Sequence, residues 1–337
     1  MIWIVNWLLT RKCNLKCDYC GIVRNSPNPD YPPMQYYYQN EMTTDYVVEV
    51  LDKFYKHNKD CFHIFYGGEP LLRNDLVDII SFCHQNNINY TIITNNTDEV
   101  QPKLKQLISS VGYLKGLTSS IDPVAVCNDE SDDRVRKSKE ALDRLSKLNT
   151  SVEDLVAEVT LTKKDLPYTI ELIQLLTDQK IYSSITSIDI SKNAYYDFSN
   201  ITDEEILLYP TNKNVSSLFW QLLHSDLLIH MKEVILPWLF SILPSNLDCD
   251  IDRYVHNVTV DADGNLRLCL RIRGVHSPTC KAESIFDSHY SLKEEVKEKI
   301  RVDKKLYCQR CNHTCLMMSK FIDIQPDKLE QLVHQRT

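Results

Sequence analysis

Glycine is scarce: the chain of 337 residues has only seven. The one adjacent pair, Gly67-Gly68, therefore marks a place where the backbone itself needs a missing side chain. No Lys/Arg-rich block occurs and the net charge is −8, which argues against a surface that grips nucleic acid by phosphate attraction. A folded RNA or a small phosphorylated substrate stays possible on charge alone. A secretory signal is also missing: "MIWIVNWLLTRK" is apolar before it is basic and has no small-residue cleavage site. That apolar run is too short to span a bilayer. The other long one, residues 216–244, is broken by Asp226, Lys232 and Glu233 and reads as amphipathic helices lying on the body. There is no internal repeat, low-complexity tract or flexible linker. The expectation is a cytoplasmic protein with no membrane contact.

What remains is an ordinary globular composition, 43% hydrophobic and 25% charged, enough for one large or two medium domains. Cysteine is the exception, with twelve residues. In a reducing compartment, thiols mean metal or catalysis more often than disulfides.

Strand and helix patterns alternate through the first 190 residues. Strands are expected at 2–10, 61–66, 89–94, 113–121, 154–162 and 184–190. Helices are expected at 43–58, 74–86, 100–110, 131–148 and 167–179, the first capped by Thr43 or Thr44 with a stripe of Val47, Val50 or Leu51, and Phe54. Six strand–helix units define an α/β fold with a parallel sheet, a full or partial (β/α)6 barrel. Beyond residue 200 the pattern changes. Two apolar helices precede "YVHNVTVDADGNLRLCL" (254–270), a hairpin around an Asp-Gly turn. A helix at 291–303 and a cysteine-rich knot at 308–315 follow. The expected division is a core at 1–200, connecting apolar helices at 201–248 and a small hairpin-plus-helix domain at 249–337.

"TRKCNLKCDYCGIV" (10–23) places Cys13, Cys17 and Cys20 as C-x-x-x-C-x-x-C. Three is an odd number and the intervals are too short for strain-free disulfides. Zinc wants a fourth Cys or His nearby, and the next histidine is His57. A 4Fe–4S cluster takes thiolates, and three of them leave one iron with an open position.

This spacing, with Tyr19 just before the last cysteine, resembles the signature of radical S-adenosylmethionine (radical SAM) enzymes. The resemblance implies that the cofactor's methionine amine and carboxylate occupy the open iron, and that one electron then splits the sulfonium to give a 5′-deoxyadenosyl radical. Tyr19 would pack near the adenine. "FYGGEP" (65–70) resembles the family's Gly-Gly-Glu-Pro element, with Gly67 and Gly68 approaching the methionine ammonium, and Glu69, beside Pro70, holding the loop or neutralising that ammonium. "TNN" (94–96) ends the third strand as a Thr-Asn segment does in relatives, which adds Asn95. "SSID" (119–122) offers Ser120 and Asp122 to the ribose hydroxyls, a donor and acceptor set suited to a vicinal diol. Pro123 departs from the glycine common there. "DDRVR" (132–136) contributes Arg134, for the methionine carboxylate or a surface salt bridge. The family's later glycine-containing strand motif is not recognisable in "LVAEVTLTKKDL".

The C-terminal cysteines form C-x14-G-x4-C, from Cys249 through Gly264 to Cys269, followed by "CQRCNHTC" with Cys308, Cys311 and Cys315. The pattern resembles the SPASM auxiliary-cluster extension or its shortened form, Twitch, and implies one auxiliary 4Fe–4S cluster on Cys249, Cys269, Cys308 and Cys311. Cys315 competes for one place and Cys280 is a spare. A zinc knuckle completed by Cys315 or His313 is the alternative, since zinc also accepts four thiolates. Cys61, Cys83 and Cys127 read as buried thiols.

Two substrate classes follow. One is a peptide or protein side chain; the other is a small metabolite, such as a sugar alcohol or nucleotide, that is oxidised or rearranged. Cys13 follows directly on the first strand, so a leader-binding module is not expected ahead of it, and a partner protein could supply that recognition. A non-catalytic iron–sulfur or zinc protein is a third reading, which leaves the open iron position unexplained. Candidate bases or anchors are Glu158, Asp189, Tyr195 and Arg271; Arg271 or Arg273 could bind a substrate carboxylate or phosphate. The chemistry also calls for an electron donor such as flavodoxin or ferredoxin.

Overall fold

A computed structural model describes residues 4–17, 20, 22, 33–129, 131–148, 150–161, 165–187, 221–222, 225–229, 257–267 and 280–307. Tyr19, Asp189, Tyr195, Arg271, Arg273, Cys249, Cys269, Cys308, Cys311 and Cys315 lie outside the described residues, as does most of 201–248.

The alternation read from the sequence is present. Strands β1 (Ile4–Thr10), β2 (Phe62–Gly67), β3 (Asn89–Thr94), β4 (Leu114–Ser120), β5 (Val152–Leu161) and β6 (Tyr182–Ser187) pair in parallel, each with the next. Between them run helices α1 (Met34–Gln39), α2 (Thr44–His57), α3 (Leu76–Gln85), α4 (Gln101–Val111), α5 (Asp133–Ser146) and α6 (Leu166–Asp178). Thr43 caps α2 by accepting the Tyr46 N–H, and Val47, Val50, Leu51 and Phe54 are all buried. Helix α4 stops at Gly112 (φ +83°), whose N–H closes the last turn on Ile108. Helix α1, absent from the sequence reading, is a short Tyr-rich turn with no side-chain cap.

The hairpin is also present, as β7 (Asn257–Val260) and β8 (Asn265–Arg267) around Gly264 (φ +78°). Strand β9 (Cys280–Lys281) and helix α7 (Glu294–Tyr307) follow. The hairpin extends the core sheet: β7 pairs in parallel with β1, giving the order β6-β5-β4-β3-β2-β1-β7-β8-β9. Among the described pairings β6 and β9 stay at opposite ends, so the ladder does not close.

The two faces of this sheet differ. Val5, Trp7, His63, Phe65, Tyr90, Ile92 and Leu117 alternate onto the face packed by the helices and are buried. Trp7 meets Phe54 edge to face and donates its indole N–H to His63 Nδ1 at 3.0 Å. Burial drives the His63 pKa down to about 3, so the ring is a neutral structural acceptor. On the other face Asn6, Ile64, Tyr66, Thr91, Ile93, Ser120, Glu158 and Ser184 keep solvent contact. Parallel sheets usually bury both faces, so a polar, partly open face is where a ligand can enter.

Candidate cofactor site

The loop leaving β1 carries Cys13, Cys17 and Cys20, all partly buried and none in a disulfide. It turns at its end, where the Cys20 N–H donates to the Cys17 carbonyl at 3.1 Å. The Cys13 sulfur accepts the Leu15 N–H at 3.3 Å and the Asn95 amide at 3.8 Å. Burial raises the pKa of Cys13 against the Leu15 hydrogen bond, with Glu69 and Cys20 adding to the rise. Asn95 also donates to Asn14 Oδ1 at 2.8 Å, and Asn14 in turn reaches Thr97 and Glu99. Among the described residues no three Cys, His, Asp or Glu side chains converge tightly enough to hold a single metal ion.

On its β2 side the loop is pressed against the glycine pair. The Gly68 and Glu69 N–H groups donate to the Thr10 and Lys12 carbonyls, each at 2.8 Å. A Cβ on Gly67 would sit 2.3 Å from the Thr10 oxygen, and one on Gly68 2.1 Å from the Lys12 oxygen. The close approach that demands glycine is thus to the chain's own cysteine loop, where the sequence pointed to a bound ammonium. Glu69 has no exposed surface. Its carboxylate accepts the Leu71 N–H (3.0 Å), the Thr94 hydroxyl (2.9 Å) and the Asn95 N–H (2.8 Å), tying the Pro70–Leu72 turn to the end of β3. Of the two roles read for Glu69, holding the loop is the one its partners match. Burial raises its pKa, and these three hydrogen bonds only partly offset that.

At the end of β4, Ser120 is exposed and lies in register beside Glu158 of β5. Asp122 opens the short turn Pro123–Val126. Arg134 forms salt bridges, as one of its two readings had it, from a partly exposed position: its Nε donates to Asp122 at 2.9 Å and its Nη2 to the buried Asp165 at 2.7 Å, so it clamps two strand-end loops together. A cleft of about 230 Å³ beside Lys12 and Glu41 contains none of the cofactor residues read from the sequence.

The β7 side holds what sequence reasoning missed. Arg11, two residues before Cys13, is buried and donates to both oxygens of Asp261, at 2.9 and 3.2 Å. It also lies 3.9 Å over the Tyr37 ring and reaches the Ile22 carbonyl at 3.5 Å. Arg267 donates to the same carboxylate at 2.9 Å. Burial would raise the Asp261 pKa, but the two guanidinium groups outweigh it and hold the carboxyl below its usual range. Asp261 and Arg11 stand 250 positions apart, and "DADG" signals only a turn.

Residues 7–173, just under half of the chain, match the radical SAM superfamily profile, and they contain the three-cysteine loop after the first strand and the glycine-lined turn after the second. These residues form a radical SAM superfamily domain. That family implies a 4Fe–4S cluster and S-adenosylmethionine, and supports an enzyme. Among curated proteins, the chain is 27% identical over 186 residues to the Fe-coproporphyrin III synthase of Methanosarcina barkeri, covering 53% of this chain and 42% of that protein. It is 26% identical over 186 residues to the S-adenosylmethionine-dependent nucleotide dehydratase of Selenomonas ruminantium, covering 48% and 61%. The chain therefore spans less than two thirds of the length of these relatives.

Solved structures share the fold over a longer stretch. Streptococcus suis SuiB bound to S-adenosylmethionine has a TM-score of 0.60 at 14% identity, covering 89% of this chain and 68% of that one. The anSMEcpe complex with AdoMet and the Cp18Cys peptide has a TM-score of 0.57 at 15% identity, covering 100% and 99%. Among the described residues no helix is long and apolar enough to cross a membrane.

Proposed function

We propose that this chain is a radical SAM enzyme that splits S-adenosylmethionine with one electron and uses the 5′-deoxyadenosyl radical to take hydrogen from a peptide or protein side chain. The observation that carries this is the three-cysteine loop at the carboxyl end of β1, fastened on both sides inside a parallel sheet. The residues fit the cofactors. Three thiols on one loop suit a four-iron cluster with one free corner, and Cys13 already accepts N–H hydrogen bonds of the kind that stabilise a ligating thiolate. Cys13, Cys17 and Cys20 are the cluster ligands in this reading. In the same reading Tyr19, Gly67, Gly68, Glu69, Pro70, Asn95, Ser120 and Asp122 are the residues that would serve S-adenosylmethionine.

Glu158, beside Ser120 on the partly open face, is the leading base or anchor, and Asp189, Tyr195 and Arg271 remain candidates. Cys249, Cys269, Cys308 and Cys311, with Cys315 in reserve, carry one auxiliary 4Fe–4S cluster in a SPASM- or Twitch-like segment. A flavodoxin or ferredoxin is the proposed electron donor.

The peptide reading is supported by the length over which the fold likeness runs. SuiB bound to its precursor peptide SuiA resembles 94% of this chain, well beyond the family match. The small-metabolite reading is supported by the hydroxyl-bearing open face, with Thr91, Ser120 and Ser184, and by the nucleotide dehydratase relative. The test is anaerobic reconstitution with iron and sulfide, reduction by dithionite, and measurement of 5′-deoxyadenosine. The proposal expects about eight iron atoms per chain, against about four without the auxiliary cluster. It also expects release that rises with pooled short peptides and stays flat with nucleoside triphosphates or aminocyclitols. The opposite response favours the metabolite reading, and no release from any mixture contradicts both.

A further inference from the structure

The buried carboxylate of Asp261 meets two arginines that each stand two residues before a cysteine: Arg11 before Cys13 and Arg267 before Cys269. It lies in the β7–β8 turn, next to the strand that pairs with β1. Arg11 spans the base of the cysteine loop: it leaves the chain just ahead of Cys13 and reaches the Ile22 carbonyl just beyond Cys20. Tyr37 lies against one side of its guanidinium and Asp261 takes its Nη2. Because Nη2 serves both Asp261 oxygens while Nη1 reaches the Ile22 carbonyl, one planar guanidinium ties two separate partners in a fixed direction, which a lysine with a single nitrogen could not do. Asp261 is itself held by its surroundings, since the Ala262 N–H donates to Oδ1 at 2.8 Å and the turn closes through Asn265.

From this geometry we infer that Asp261 is a positioning residue for the N-terminal cysteine loop, acting through Arg11, so that the C-terminal hairpin sets the shape of the cofactor site. The inference rests on the reading of Cys13, Cys17 and Cys20 as cluster ligands. Outer partners of ligand-bearing segments orient the ligands, and losing them weakens a site whose ligands are intact. The hairpin thereby belongs to the cofactor site as well as to the sheet, and a disturbance at its turn is passed to the loop through one side chain.

The test uses the full chain, reconstituted anaerobically, as wild type, Asp261→Asn, Arg11→Lys, the double variant, and Val258→Ala as a control that loosens β7 without touching the loop. Circular dichroism reports folding. The readout is the change that added S-adenosylmethionine makes in the electron paramagnetic resonance spectrum of the reduced cluster, titrated to an apparent affinity. Asp261→Asn and Arg11→Lys are each expected to weaken that affinity about 10–100-fold. The double variant should be no weaker than the worse single one, because both act through one contact, and Val258→Ala should match wild type. A wild-type affinity in folded Asp261→Asn, or losses that multiply in the double variant, overturns the inference. If Asp261→Asn does not fold, Arg11→Lys decides: wild-type affinity there overturns it equally. A wild-type spectrum that ignores S-adenosylmethionine overturns the reading of the loop itself, a result distinct from a normal wild type with unaffected variants.

Discussion

Two buried carboxylates flank the cysteine loop, one on each side of β1, and they hold it by different means. Glu69 on the β2 side is met by neutral donors, two backbone N–H groups and a threonine hydroxyl. Asp261 on the β7 side is met by two arginines and one N–H. Both have no exposed surface, yet burial wins at Glu69 and raises its pKa, while charge wins at Asp261 and lowers it. The lesson is that a cysteine-bearing loop can be fixed by dipoles and steric closeness on one side and by charge on the other. The two sides should then fail differently.

The largest effect is expected on the charged side. Asp261→Ala leaves Arg11 and Arg267 buried without their shared carboxylate and should cost about 3–5 kcal/mol, read from urea unfolding. A loss near zero would mean that the arginines relax to water and that the pair fixes nothing. Glu69→Ala should cost less, about 1–3 kcal/mol in all in the same assay, because its neutral donors find other partners more readily than a buried guanidinium does. Gly68→Ala probes the steric contact. Its Cβ must displace the Lys12 backbone, so a cost of about 1–3 kcal/mol and reduced iron uptake are expected. Normal iron loading in Gly68→Ala would show that the loop tolerates being pushed away.

The smallest effect sharpens the contrast through pH. Glu69 binds its proton more tightly folded than unfolded, so its contribution declines as pH rises through the carboxylate range. Asp261 has a depressed folded pKa, so its contribution is complete above about pH 4 and is lost as pH falls below that. Unfolding midpoints followed across the acid range should therefore show wild type losing ground to Glu69→Gln as pH rises, and gaining on Asp261→Asn. Parallel profiles would remove the distinction between the two sides.

How much of this was legible in the sequence depends on how far apart the partners lie. The C-x-x-x-C-x-x-C loop, the Gly-Gly-Glu-Pro turn and the Asp-Gly hairpin are local patterns, and the turn and the hairpin have the expected strands beside them. The stripe of α2 was readable because burial follows helical spacing. Arg134 and Asp122 were each singled out, but their pairing with each other and with Asp165 was not, because Asp122 and Asp165 come together only once β4 and β5 are adjacent. Asp261 was hidden more deeply, since an aspartate in a turn signals only a turn, and its arginine lies at the far end of the chain. Nor does any local pattern state that a hairpin after residue 250 will pair with β1. That is a property of the folded sheet edge.

The measurement that bears most directly on the central claim is electron paramagnetic resonance of the anaerobically reconstituted, dithionite-reduced protein before and after adding S-adenosylmethionine, alongside Cys17→Ala. The account predicts a reduced iron–sulfur signal whose shape changes with the added sulfonium, and loss of that change in Cys17→Ala. Zinc alone at those thiols, or a signal indifferent to S-adenosylmethionine, would contradict it.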